Sequence, residues 1–128
     1  MTVMPLNLTA PSGAEITADG LYRYRLWRLW DLDAPVMVWI LLNPSTADAA
    51  FDDPTLRKCI GFARAHHHGG VILVNLFAWR ATNPKALPKV ADPIGSLNDE
   101  HILWACRAPL LATVVAAWGA NAFARHRA

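Results

Sequence analysis

Continuous apolar runs that end abruptly on polar residues set the pattern of this chain. The run VMVWILL, Val36 to Leu42, stops at Asn43-Pro44, VILV stops at Asn75, and TVVAAW stops at Gly119. Such runs are too short for ordinary helices and apolar on both faces, so they predict central strands covered on both sides. Earlier, LYRYRLWRLW alternates, placing Tyr22, Tyr24, Leu26 and Arg28 on one side and Leu21, Arg23, Arg25 and Trp27 on the other. This predicts a strand next to the sheet edge, paired with VMVWILL through a turn at Asp31 to Pro35.

Helical spacing appears twice. Asp53-Pro54 reads as an N-cap followed by proline at the first helical position, and Leu56, Cys59, Ile60 and Ala63 then recur on one face until Gly69-Gly70 closes the helix. Strand, helix and strand over 36–75 therefore form a crossover with parallel strands. Ser96 with Asp99 resembles a capping pair opening a second helix over Leu97, Ile102, Leu103 and Cys106, halted near Pro109. ANAFARHRA predicts the start of a third helix. Between the first two helical stretches, FAWRATNPKALPKVADPIG is a long proline-spotted loop, and compact domains seldom keep such a loop without using it.

The fold expected is a three-layer α/β/α sandwich with a mostly parallel, doubly wound sheet. Residues 1–20, with Pro5, Pro11, Ser12 and Gly13, read as an irregular arm ending in a turn at Asp19-Gly20, and 21–128 as one α/β domain. A length of 128 residues and 54% hydrophobic composition suit one compact core and leave no room for a second ordinary domain. The formal charge of +2 tolerates a phosphate-bearing partner but falls short of a non-specific DNA-binding patch. Cys59 and Cys106 sit in apolar surroundings, so two reduced thiols in a cytoplasmic protein are expected rather than a disulfide framework. No signal peptide is visible, and no run approaches the roughly 20 residues of a membrane span.

Parallel sheets bind ligands beyond the carboxyl ends of their strands, which directs attention to the exits at Asn43, Asn75 and Trp118-Gly119. Asn43 can hold a water or a polar ligand edge, or it can close an Asx-turn. Asp48 and Asp52 offer carboxylates for general-base or electrostatic work, whereas Asp53 reads as the helix cap. Asn75 ends an otherwise apolar strand, so its amide must find backbone partners or face a cavity that a base-like edge would fill. Phe77 and Trp79 can stack on a planar ligand or belong to the core. Arg80 can fork onto a phosphate, or pair with Asp92 or Asp99. Trp118 and Asn121 complete the candidate ligand-binding set.

His66-His67-His68 does not make a metal site while helical, because consecutive helix residues point about 100° apart. No HExxH, Cys-x-x-Cys, Gly-x-Ser-x-Gly or Walker motif occurs. No metal or other cofactor is expected.

YRYRLWR, LLNPSTAD with the downstream DDPT, NLFAWRAT, PIGSLND and AAWG together resemble the bacterial and phage family known as domain of unknown function 1643, from about Leu21 to Asn121. That family has no assigned activity, and its members usually continue past the WG motif, which implies a shortened relative or a fragment. A fainter similarity is to the uracil-DNA glycosylase superfamily, carried by the order of LLNPSTAD, VILVNLFAWRATNP and VVAAWGANA. It implies glycosylase-like topology, with Asn43 at the position that orients hydrolytic water and Asn75 at the position that reads the base. The superfamily's late histidine loop and the cysteines of its iron–sulfur members have no counterpart here.

Three functions follow from these readings. The first is a nucleobase or nucleotide pocket, catalytic if Asn43 with Asp48 directs water at an N-glycosidic bond. The second is a non-catalytic nucleic-acid or nucleotide binder using Arg23, Arg25 and Arg80. The third is a structural or assembly domain, self-association included.

Overall fold

The computed structural model describes residues 11–107, 111–121 and 124–127. The elements run β1 (Ser12–Ile16), β2 (Arg23–Leu29), β3 (Val36–Leu41), α1 (Pro54–Ala65), β4 (Gly70–Asn75), α2 (Asn98–Cys106) and β5 (Leu111–Ala116), with 3-10 turns at Pro84–Lys89 and Ala124–His126. The strands form one mixed sheet in the order β1-β2-β4-β3-β5. Strands β3, β4 and β5 are mutually parallel, while β2 runs antiparallel to both β1 and β4. The protein is thus α/β, but its sheet is only partly parallel.

Short connections explain the mixture. The turn from Thr17 to Tyr22, closed by Thr17 N–H to Tyr22 O at 2.9 Å with Gly20 at φ +75°, can join only antiparallel neighbours. The link from Trp30 to Pro35 likewise sends β3 back against β2. The two do not pair, however, because β4 lies between them. The link crosses the start of β4 instead: the N–H groups of Trp30 and Asp31 donate to Gly69 O, and Gly69 N–H donates to Pro35 O at 2.8 Å. A Cβ on Gly69 would lie 1.9 Å from Asp31 O, so this crossing requires glycine. Gly69 therefore does not close α1, as its sequence position suggested. His67, at φ +61°, takes the left-handed conformation just beyond the helix.

Alternation along β3 and β4 builds two cores. Leu26, Met37, Val71 and Leu73 pack with Leu56, Cys59 and Ala63 of α1. Trp27, Leu29, Val36, Val38, Ile72 and Val74 pack on the other face with Ala105 of α2. Each fully buried leucine among them contributes about 1.5–3 kcal/mol. The inward face of α1 is the one its periodicity predicted.

The helix α2 differs. Its N-cap is Leu97 with no side-chain bond, so Ser96 does not cap it, and its buried residues are Asn98, His101 and Ala105. Leu97 and Leu103 are 46% and 51% exposed. A helix whose inward stripe is polar cannot be oriented from its hydrophobic residues.

Two further segments depart from expectation. Ser12–Ile16 is an edge strand rather than an irregular arm, while Met1 to Ala10 lie outside the described residues. At the carboxyl end, Ala124–His126 form a single 3-10 turn where a helix was predicted, with Ala122 and Phe123 outside the described residues. Among the described residues, no helix is long and apolar enough to cross a membrane.

Candidate functional site at the strand carboxyl rim

The exits of the three parallel strands share one edge. Leu41 is in register with Asn75, and Ile40 with Ala116. Pairing continues past the strands: Leu76 N–H donates to Leu41 O, Phe77 N–H to Leu42 O and Ala81 N–H to Pro44 O, all within 2.9–3.0 Å. The two loops thus run side by side. Asn43 fastens them, its Nδ2 donating to Ala81 O at 2.7 Å and to Pro44 O at 3.1 Å. Its Oδ1 has no protein partner among the described residues and is available to accept.

Asn75 is 0% exposed, and among the described residues neither Nδ2 nor Oδ1 has a hydrogen-bond partner. Two residues beyond Leu73, it belongs to the α1 side of the sheet. Its backbone oxygen is taken by Asn98, whose Nδ2 donates to Asn75 O at 2.8 Å and Leu76 O at 3.0 Å. Asn98, absent from the sequence-derived set, is the residue that ties α2 to the rim.

Arginines fix the loop after β3 by its carbonyls. Arg80 donates from Nε to Ser45 O, from Nη1 to Gly20 O and from Nη2 to Thr46 O. It pairs with neither Asp92 nor Asp99; Asp99 is engaged by Arg127, and the guanidinium of Arg80 is spent on backbone. Arg28 donates from both Nε and Nη2 to Asp52 Oδ1, at 3.0 and 2.9 Å, and from Nη2 to Asp48 O. Arg23 donates from Nη1 to Ala47 O at 3.1 Å.

A register shift in the β1–β2 pairing matches Glu15 with Arg25 and Ile16 with Arg23, so one residue of β2 is unopposed. This bulge breaks the predicted alternation. Arg25 stays with Trp27, over Trp104 at 4.1 Å, whereas Arg23 turns to the α1 side. Burial lowers the Arg23 pKa to about 10 and nearby Arg80 and Arg28 act in the same direction, against an opposing effect of Asp53.

Asp53 performs two tasks: Oδ1 accepts from Leu56 N–H at 2.9 Å as the α1 cap, and Oδ2 accepts from Ala47 N–H at 3.3 Å. Asp48 closes a turn, Oδ1 accepting from the N–H groups of Ala50 and Phe51, and these bonds hold its pKa below the ordinary carboxylate value.

The remaining candidates are divided between places. Phe77 is a core residue, packed with Leu76 and Leu87, and Trp79 meets Tyr22 edge to face at 5.4 Å. Trp118 lines a cleft of about 370 Å³ with Ile40, Leu76, Asp99, Ile102, Leu103 and Arg127. Neither Asn43 nor Asn75 lines it. Asn121 accepts from Ala124 N–H at 3.2 Å. His68 reaches Thr113 Oγ1 at 3.0 Å, and among the described residues no group of three or more His, Cys, Asp or Glu is placed to hold a metal ion.

Residues 23–128 match the family model described as "Protein of unknown function (DUF1643)". The chain belongs to the DUF1643 family. No curated protein and no solved structure matches it. For this DUF1643 domain, the likeness to uracil-DNA glycosylases read from motif order is not shown by these comparisons.

Proposed function

We propose that the carboxyl rim of this DUF1643 domain is a nucleobase or nucleotide pocket, with Asn75 reading the planar edge of the base. The observation carrying this reading is the Asn75 amide, wholly buried with donor and acceptor both unpartnered among the described residues. A buried amide left unsatisfied costs about 1–3 kcal/mol, and a ligand edge offering one acceptor beside one donor would remove that cost. Asn43 Oδ1, open on the adjoining loop, supplies a further acceptor. Helices packed on both faces and three parallel exits on one rim support the sandwich with glycosylase-like topology as part of this proposal. Two free thiols, one of them buried, suit a cytoplasmic setting.

The geometry supports binding better than N-glycosidic hydrolysis. An effective general base needs a carboxylate with proton affinity near working pH, and Asp48 is displaced in the opposite direction by its turn bonds. The catalytic version would leave Asn43 to orient water through Oδ1 without a base beside it. The assembly reading has its own support in the exposed Leu97, Leu103 and Val114.

Calorimetric titration with free nucleobases tests the reading. Wild type is expected to bind, and Asn75→Leu to lose binding while remaining at least as stable without ligand, because it deletes two unpartnered polar atoms. Equal binding by both proteins would refute the assignment. Release of free base from a modified oligonucleotide, lost in Asn43→Ala, would establish hydrolysis instead.

A further inference from the structure

Arg23 presents a difficulty that the base-edge reading does not address. It is 2% exposed and carries a positive charge, yet among the described residues its side chain makes one hydrogen bond, to Ala47 O, and Nε is without a partner. Among the described residues it has no salt bridge. Its main source of compensation, Asp53, already accepts from two backbone N–H groups. Arg80 and Arg28 add positive charge nearby. A guanidinium held this way in low dielectric calls for an anion, since unpaired buried charge is among the most costly states a fold can hold.

The location of Arg23 identifies what the anion belongs to. Arg23 N–H donates to Ala78 O, which sets the residue beside the exit of β4, three positions past Asn75. Its side chain turns to the face where Ala47 packs with Leu73, and Asn75 shares that face by strand alternation. The unpartnered Nε of Arg23 and a donor with an acceptor on Asn75 therefore occupy one side of one rim among the described residues.

We infer that Arg23 and Asn75 wall a single covered subsite for a ligand bearing both an oxyanion and a planar donor–acceptor edge, that is, a nucleotide rather than a free base or nucleoside. The inference rests on the base-edge reading for Asn75 and adds the phosphate. Oxyanion oxygens accept from the Arg23 fork, as charge-assisted bonds to guanidinium favour.

Thermal unfolding and calorimetric titration of the whole chain, with chloride holding ionic strength constant, separate the two claims. The probes are inorganic phosphate, a free nucleobase, its nucleoside and the nucleoside 5′-monophosphate. Phosphate should raise the unfolding midpoint, and the monophosphate should bind at least about tenfold tighter than the nucleoside. Arg23→Met should lose both effects, keep free-base binding and unfold no earlier than wild type without ligand, since it removes an unpaired charge. A nucleoside as tight as its monophosphate, with no phosphate effect, overturns the oxyanion subsite and leaves the base edge standing. A phosphate effect that survives in Arg23→Met, with a lowered unliganded midpoint, makes Arg23 a strut for Ala47 and also overturns it. Absence of free-base binding with an Arg23-dependent phosphate effect refutes the base edge alone. Should the methionine variant not fold, Arg23→Lys serves: it keeps charge but lacks the fork, and undiminished preference for the monophosphate would count against the subsite.

Discussion

Acidification offers a sensitive probe of the α2 face. His101 is 6% exposed, lies flat on Tyr24 at 4.9 Å between ring centroids, and leaves Nδ1 buried without a partner among the described residues. Burial first, and the Arg25 cation second, push its pKa from 6.5 down to about 4. Because the folded value is the lower one, the unfolded chain takes up the proton first. The stability that neutral His101 confers is thus intact above pH 6.5 and is lost as pH falls from there towards 4. At about 1.4 kcal/mol per pH unit of separation the full loss is about 3 kcal/mol, and about 2 kcal/mol of it falls between pH 7 and pH 5. Urea unfolding at pH 7, 6 and 5 measures this directly, with His101→Phe as the ring-preserving control. Wild type should lose about 2 kcal/mol more than the variant across that interval. Parallel losses in the two proteins, or an imidazole that titrates near 6.5 by NMR in the folded state, would refute the reasoning.

Two other substitutions test the frame around the rim. Asp53→Ala removes the cap of α1 and the acceptor for Ala47 N–H, so it should cost about 2 kcal/mol in chemical denaturation and speed amide exchange at Ala47 and Leu56 together. Gly13→Ala places a Cβ 2.0 Å from the Trp27 ring; it should destabilise by about 1–3 kcal/mol and release β1 from β2, seen as lost amide protection along 12–16.

Those elements whose cause is local were legible in the sequence. Asp53-Pro54 and the spacing of Leu56, Cys59 and Ala63 carry α1 whole, and the unbroken apolar runs carry β3 and β4. The neighbours of a strand are not a local property. Nothing in Asp31 to Pro35 announces that β4 will separate β2 from β3, because the determining contact is Gly69 under that link, more than thirty residues away. The inward face of α2 was illegible for a different reason. Asn98 is buried in order to satisfy the carbonyls of Asn75 and Leu76, a demand created only once the sheet exists. At the rim, the asparagines ending their runs pointed to the edge where the parallel strands finish together. What the arginines do there was hidden, since their partners are backbone oxygens that every residue carries alike.

The order β1-β2-β4-β3-β5 also bears on how the chain is made. As synthesis proceeds, the first hairpin and the strand that follows it emerge with no surface on which to join, since the piece that zips them together ends only at Asn75. Until then both halves carry open sides, exposed to other nascent chains, and pairing across such a sequence separation is intrinsically slow.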